Sequence, residues 1–353
     1  MDNSQKKTGS PILVFVAALV AILIITLISN RRSHVVTELS LPFNNGIANL
    51  STFENLLVAV SNDNRLYIWD WTDLSRKPRE YTVESEQSVL ITSDSVLSVK
   101  RTNPDYVVVS KLDDNHKSSN IPLPPDSEAG CLGVNKDRSR IFLLLTYTKN
   151  QNTGQVKCEL LEVLPGTRQV QQVLTFDTEQ SRPAALSVSD DGRYVVGVGD
   201  KNSSGWMFTA DAKEGRLLWQ KEMPDFKKVF KAVFSSNGEV IYARATDSTL
   251  LVIKMSSGDI TDRLLPTKEN KSTFRVQAAQ TVVKSDDGNL AAATVFNSIY
   301  VWDINAKKVI IRTGSGHKVI SGIAFSGDSR FLATSDMRQG GKIIVLRMPR
   351  TNR

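Results

Sequence analysis

The chain has 353 residues, 44 Lys plus Arg against 37 Asp plus Glu, and a formal charge of +7; at 41% hydrophobic and 23% charged it matches neither a disordered tail nor a polytopic membrane protein. Two cysteines (Cys131, Cys158) and three histidines (His34, His116, His317) are too few ligands for a disulfide scaffold, a zinc ribbon or a multi-histidine metal site. The length admits one large all-β domain or two ordinary ones.

In chain order, a short polar tail (1–10) comes first, and then the segment 11–29 reads as a transmembrane helix. From Ile12 to Ile28 there are 17 residues without a charge, 13 of them Leu, Ile, Val or Phe, with Ile12, Leu13, Phe15, Ile22 and Leu27 as representative anchor residues. At about 1.5 Å per residue they make about 26 Å of helix, just short of the ~30 Å hydrocarbon core. The other reading is a cleaved signal peptide, but that needs a shorter apolar run followed by small residues, whereas here Ser29-Asn30-Arg31-Arg32 follows. An uncleaved signal-anchor is therefore expected. Lys6 and Lys7 balance Arg31 and Arg32, so orientation rests on the free amino group, which leans towards a cytoplasmic N-terminus and an extracytoplasmic or lumenal body. Four basic residues against Asp2 put three of the seven excess positive charges in residues 1–33. The basic balance is thus partly an anchor property, and no nucleic-acid partner is expected.

From residue 34 onward, short apolar runs alternate with Gly, Asn, Asp and Ser clusters and no stretch keeps a helical period, so the body is read as all-β. Val188-Ser-Asp-Asp-Gly192, Phe234-Ser-Ser-Asn-Gly238, Lys284-Ser-Asp-Asp-Gly288 and Phe325-Ser-Gly-Asp-Ser329 each precede an apolar strand, and looser copies occur near Asp137, Asp94 and Glu54. Asp-Gly and Asn-Gly suit a two-residue hairpin, which requires positive φ. With Glu54, Asp94, Asp137, Asp191, Asn237, Asp287 and Asp328 as anchors, the spacings are 40, 43, 54, 46, 50 and 41 residues. Seven such units predict a seven-bladed β-propeller of four strands per blade, over residues 34–348, with a basic tail at 349–353.

Asn64-Arg-Leu-Tyr-Ile-Trp69-Asp70 and Ser298-Ile-Tyr-Val-Trp302-Asp303 resemble the WD dipeptide of WD-repeat proteins. Trp69 follows Asp63 by six residues, the family's spacing; Asp247 keeps it with the Trp replaced, and Gly316-His317 resembles the family's Gly-His pair. The resemblance implies structural roles for Asp63, Trp69, Asp70, Asp247, Trp302, Asp303 and His317, although no unit holds the complete His, Ser/Thr, Asp and Trp set. It also implies closure of the ring by the two chain ends. The last unit is one strand short, and His34 to Leu41 alternates as the missing strand would, so Val35 or Val36 is expected to face the core. Sealing the ring removes an open edge.

No constellation suggests chemistry. His116 follows Asp113-Asp114 in a polar stretch, the Asp pairs 190/191 and 286/287 sit in turns, and phosphate-loop and nucleophile-elbow motifs are lacking. Cys131 and Cys158 fall on non-adjacent strands and are expected to stay unbridged. Catalytic, cofactor-binding and metal residues are accordingly not assigned, and no cofactor is expected. The expected function is a membrane-anchored, non-catalytic interaction scaffold on a monomeric propeller, binding protein partners through loops at 113–125, 149–155, 200–205 and 337–341. Alternatives are a quinoprotein-like or hydrolase-type propeller enzyme, the former from the single phrase Glu214-Gly-Arg-Leu-Leu-Trp219, and a membrane-tethered exchange factor for a small GTPase.

Overall fold

A computed structural model describes residues 35–349 apart from 42–45, 84–89, 93, 101–104, 113–116, 151–154, 180, 247–248, 265–280, 296–297, 315–318 and 338–340. The expected span at 11–29, with Ile12, Leu13, Phe15, Ile22 and Leu27, lies outside these residues, as do His116, Asp247 and His317. No helix among the described residues is long and apolar enough to cross a membrane.

Among the described residues, twenty-eight strands form seven four-stranded antiparallel sheets, the blades of a seven-bladed propeller. The innermost strands are Ile47–Phe53, Leu90–Ile91, Glu128–Val134, Ser181–Val188, Val229–Phe234, Val282–Lys284 and Ile320–Phe325, for blades one to seven in chain order. Every anchor read from the repeats falls in the turn between the first and second strands of a blade. These turns share one rim, called here the turn face. Because successive strands are antiparallel, the turns between third and fourth strands lie on that side too.

The middle strands are buried on both sides, since each blade is packed between two others. In the last strand of the chain, Lys342–Arg347, Ile343 and Val345 join a core cluster with Leu50, Leu57 and Trp69 of blade one, whereas Ile344 and Leu346 join one with Leu290, Ile299 and Val301 of blade six. That explains unbroken apolar runs such as Phe142 to Leu145, where a half-exposed sheet would alternate. Outer strands have one wet side, as in Arg79–Thr82.

The chain ends close the ring. Val35–Ser40 pairs antiparallel with Lys342–Arg347 as the fourth strand of blade seven. The inward residues differ from expectation, because the register shifts between Val35 and Thr37. This bulge leaves Val35 and Val36 exposed at 37% and 44%, and the buried residues are Leu39 and Leu41. At the seam, Trp71 of blade one stacks on Phe331 of blade seven, and a Cβ on Gly322 would come within 2.7 Å of the Leu50 Cβ.

The repeated turn is wider than the expected two-residue hairpin. In blade four the Gly192 N–H donates to the Ser189 carbonyl (2.9 Å) and the Ser189 N–H to the Tyr194 carbonyl (2.8 Å), leaving a four-residue loop with Gly192 at φ 74°. The Ser189 hydroxyl donates to Asp191 Oδ1 (2.5 Å) and accepts from the Tyr194 N–H (2.8 Å), while Asp191 Oδ1 accepts from the Arg193 N–H (3.0 Å). Ser235/Asn237, Ser285/Asp287 and Ser326/Asp328 repeat the arrangement in blades five, six and seven. The Ser-x-Asp phrase is therefore a hydrogen-bonding device that satisfies backbone N–H groups at the turn.

Two of the stretches expected to be contact loops differ in part. Asn202 (φ 49°) and Ser203 (φ 66°) form a two-residue turn with positive φ at both positions, joining strands that reach Lys201 and Ser204. Ser118–Pro122 is the outer strand of blade two.

Candidate functional site: the central channel

The turn-face half of the central channel holds a cavity of about 420 Å³. Its walls are the inner strands and their turns, with charged groups at the rim; Leu50, Phe53, Leu186, Val188, Phe234 and Ile323 of these strands are buried in the clusters between blades.

Ion pairs reach across that rim. Lys284 of blade six donates to both carboxylate oxygens of Asp190 in blade four (2.9 and 2.7 Å) and to the Ser236 hydroxyl of blade five (3.2 Å). Lys136 of blade three meets Asp286 of blade six, at 3.5 Å to Oδ2 and 3.2 Å to the backbone carbonyl. The second members of the Asp pairs, Asp191 and Asp287, serve the turns, while Asp190 and Asp286 serve the rim. Arg138, at φ 60°, stands 4.6 Å over the Phe53 ring and donates to the carbonyls of Thr52 in blade one and Ile91 in blade two. The described part of blade two's inner strand is Leu90–Ile91, and this guanidinium ties it to blades one and three. Burial lowers the Arg138 pKa to about 10, opposed by nearby Glu54, so it remains charged at neutral pH.

Lower in the cavity lies Lys231, in the inner strand of blade five. No acid or hydrogen-bonding group among the described residues meets its ammonium, and burial pushes its pKa below the ordinary lysine value. Beside it, the Ser187 hydroxyl donates to the Ala232 carbonyl (2.5 Å), tying blade four to blade five.

The residues singled out by the WD resemblance are spread over the blades. Trp69 and Trp302 are buried on the third strands of blades one and six, packed near Tyr67 and Tyr300 at ring separations of 6.1 and 5.9 Å. Asp70 and Asp303 end those strands and cap the next turn: Asp70 Oδ1 accepts from the Thr72 N–H (2.8 Å) and Asp303 Oδ1 from the Ala306 N–H (2.8 Å). Asp63 pairs with Arg65 Nε at 3.3 Å and accepts from the Ser61 hydroxyl. Asp211 caps the equivalent turn of blade four through the Lys213 and Glu214 N–H groups and also takes Arg193 at 2.9 Å. Sequence reading missed Asp211 because Ala210 replaces the Trp before it. Trp219, from the phrase like those of quinoproteins, donates to the Met255 carbonyl (2.7 Å) and packs against Gly258, docking blade four on blade five. Neither cysteine is in a disulfide, and both are buried in one cluster, on the first and third strands of blade three. Among the described residues, no three His, Cys, Asp or Glu side chains come together in a way that could hold a metal ion.

Residues 308–344 match the family model described as WD domain, G-beta repeat. The chain carries a WD40 repeat inside a seven-bladed propeller. The matched stretch runs from the outer strand of blade six, Lys308–Gly314, into the third strand of blade seven, so the sequence repeat is offset from the blade by one strand. The same offset leaves blade seven needing Val35–Ser40. No curated protein matches the chain.

Proposed function

We propose that the protein is a membrane-anchored, non-catalytic interaction platform. WD40 propellers bind protein partners in general, and the ring here is closed and rigid, with side chains tying blade to blade. One topological fact carries the reading further. Val35 pairs with Leu346, at the turn-face end of blade seven, and the apolar run ending at Ile28 precedes it by only a few residues. An anchor there would hold the turn face towards the bilayer and leave the opposite face, with the Asn202-Ser203 hairpin, free for partners. The charge balance leans towards an extracytoplasmic or lumenal propeller.

Site-specific photocrosslinking in intact membranes tests this. A crosslinker at exposed Asn202 should give discrete protein adducts, and one at exposed Lys213, on the turn face, should give lipid adducts. Protein adducts from Lys213 and none from Asn202 would contradict the arrangement.

A further inference from the structure

The inner strands turn their large apolar side chains into the clusters between blades, so polar groups are left to face the bore. The lining residues farthest from the turn face are Asn49 of blade one and Lys231 of blade five. Both hold the same place in their blades, because the register shifts just before each, between Ile47 and Asn49 and between Val229 and Lys231. Blades one and five stand three apart around the ring of seven, so the two side chains enter the bore from nearly opposite sides. Among the described residues neither side chain has a hydrogen-bonding or charged partner, and neither has Ser51, two residues after Asn49 on the same side of its strand. The other cations lining the cavity are engaged: Lys284 by Asp190 and Ser236, Lys136 by Asp286, and Arg138 by two carbonyls.

We propose that the floor of this cavity binds one compact monovalent oxyanion, bicarbonate or a one-carbon carboxylate, with one oxygen on the Lys231 ammonium and another accepting from the Asn49 amide or the Ser51 hydroxyl. Four cations line the cavity, Lys136, Arg138, Lys231 and Lys284, against three carboxylates, Glu54, Asp190 and Asp286, which leaves one positive charge in excess. Lys231 is half-buried, and an ammonium drawn out of bulk water without a counter-charge is costly, a cost that a bound anion offsets. A dianion would bring its second charge towards three carboxylates with no cation left to meet it. The ligand is small and hydrophilic because Leu50, Leu186 and Ile323 are packed between blades and give an apolar body no surface, whereas an amide and a hydroxyl can donate to an oxyanion. At the rim the Lys136–Asp286 pair is about half exposed and is a weak barrier to a small ion. This site does not depend on the membrane-platform reading.

Calorimetric titration of the detergent-purified full chain with sodium formate and, separately, sodium bicarbonate at constant ionic strength tests it. At least one should bind saturably, one ion per chain, with a Kd of about 10 mM or below, and the tighter of the two names the source. Lys231→Gln should weaken that binding about 10-fold or more, and Asn49→Leu about 3-fold or more. Lys231→Arg keeps the charge and should retain it, and sulfate should bind more weakly than the tighter monoanion. Lys213→Gln, which removes an exposed charge outside the channel, should leave the affinity unchanged and so separates the site from the general positive charge of the chain. Lys231→Gln should melt no lower than the parent, which controls for folding, and Lys231→Met takes its place should it unfold. Saturation by neither anion, parental affinity in Lys231→Gln or Lys231→Met, or tighter binding of sulfate would overturn the site.

Discussion

Leu39, near the beginning of the propeller, pairs with Ile343, near its end, and the two belong to one buried cluster with Leu50 and Trp69 of blade one. The first and last blades are thereby joined through residues some 300 positions apart in the chain. Closure acts on stability through Leu39. Leu39→Asp buries a charge at the seam and should cost about 3 kcal/mol or more, whereas Val36→Asp, at an exposed position, should stay within about 0.5 kcal/mol. Urea unfolding of the two variants checks this; equal midpoints would disconnect Leu39 from closure.

The Ser-x-Asp turns make separate local contributions. Ser285 is buried, donates to Asp287 and accepts from the Leu290 N–H at 2.9 Å. Ser285→Ala leaves that N–H without its partner and should cost about 1–2 kcal/mol. The corresponding change at Ser235, whose turn is exposed, should cost less. Denaturant midpoints of the pair decide it.

Acid should weaken the ring. Burial works against ionisation of Asp191 and Asp211, yet hydrogen bonds from Ser189 and the Arg193 N–H to the first, and from the Arg193 guanidinium to the second, hold both below the ordinary 3.8. Side-chain hydrogen bonds lower Asp137 likewise, chiefly from Ser139. A folded-state value below the unfolded one contributes stability that is fully present above about pH 4 and is lost as pH falls through the depressed values. Unfolding free energy should therefore be flat from pH 7 to about 5 and drop below about 4. Asp211→Asn should flatten part of that drop.

Cys158 should be inert in the folded protein. Burial, with smaller contributions from Cys131 and Asp177, pushes its thiol pKa up to about 12, so almost no thiolate exists at pH 8. Iodoacetamide followed by peptide mapping should leave Cys158 unmodified in native protein and modify it in urea. Rapid native labelling would contradict this burial.

How much of this was legible in the sequence depended on distance along the chain. The Ser-x-Asp turn phrase is a local device, so its four clear copies and three looser ones counted the blades and located the turns. Closure was legible from one missing strand, but the inward residue was not, since a bulge between Val35 and Thr37 breaks the alternation. The channel was hidden altogether. Lys284 and Asp190 are 94 residues apart, Lys136 and Asp286 are 150 apart, and only the ring brings them together. Lys231 gave no signal either, because a lysine in the short strand Val229–Phe234 reads as an ordinary polar position.

The most direct test of the central claim is alkaline carbonate extraction of membranes carrying the full chain, alongside a chain beginning at residue 33. The account predicts that the full chain stays in the membrane pellet, while the shortened chain, which keeps Val35–Ser40 and so a closed ring, is released folded into the supernatant. Release of the full chain by carbonate would contradict a membrane-anchored platform.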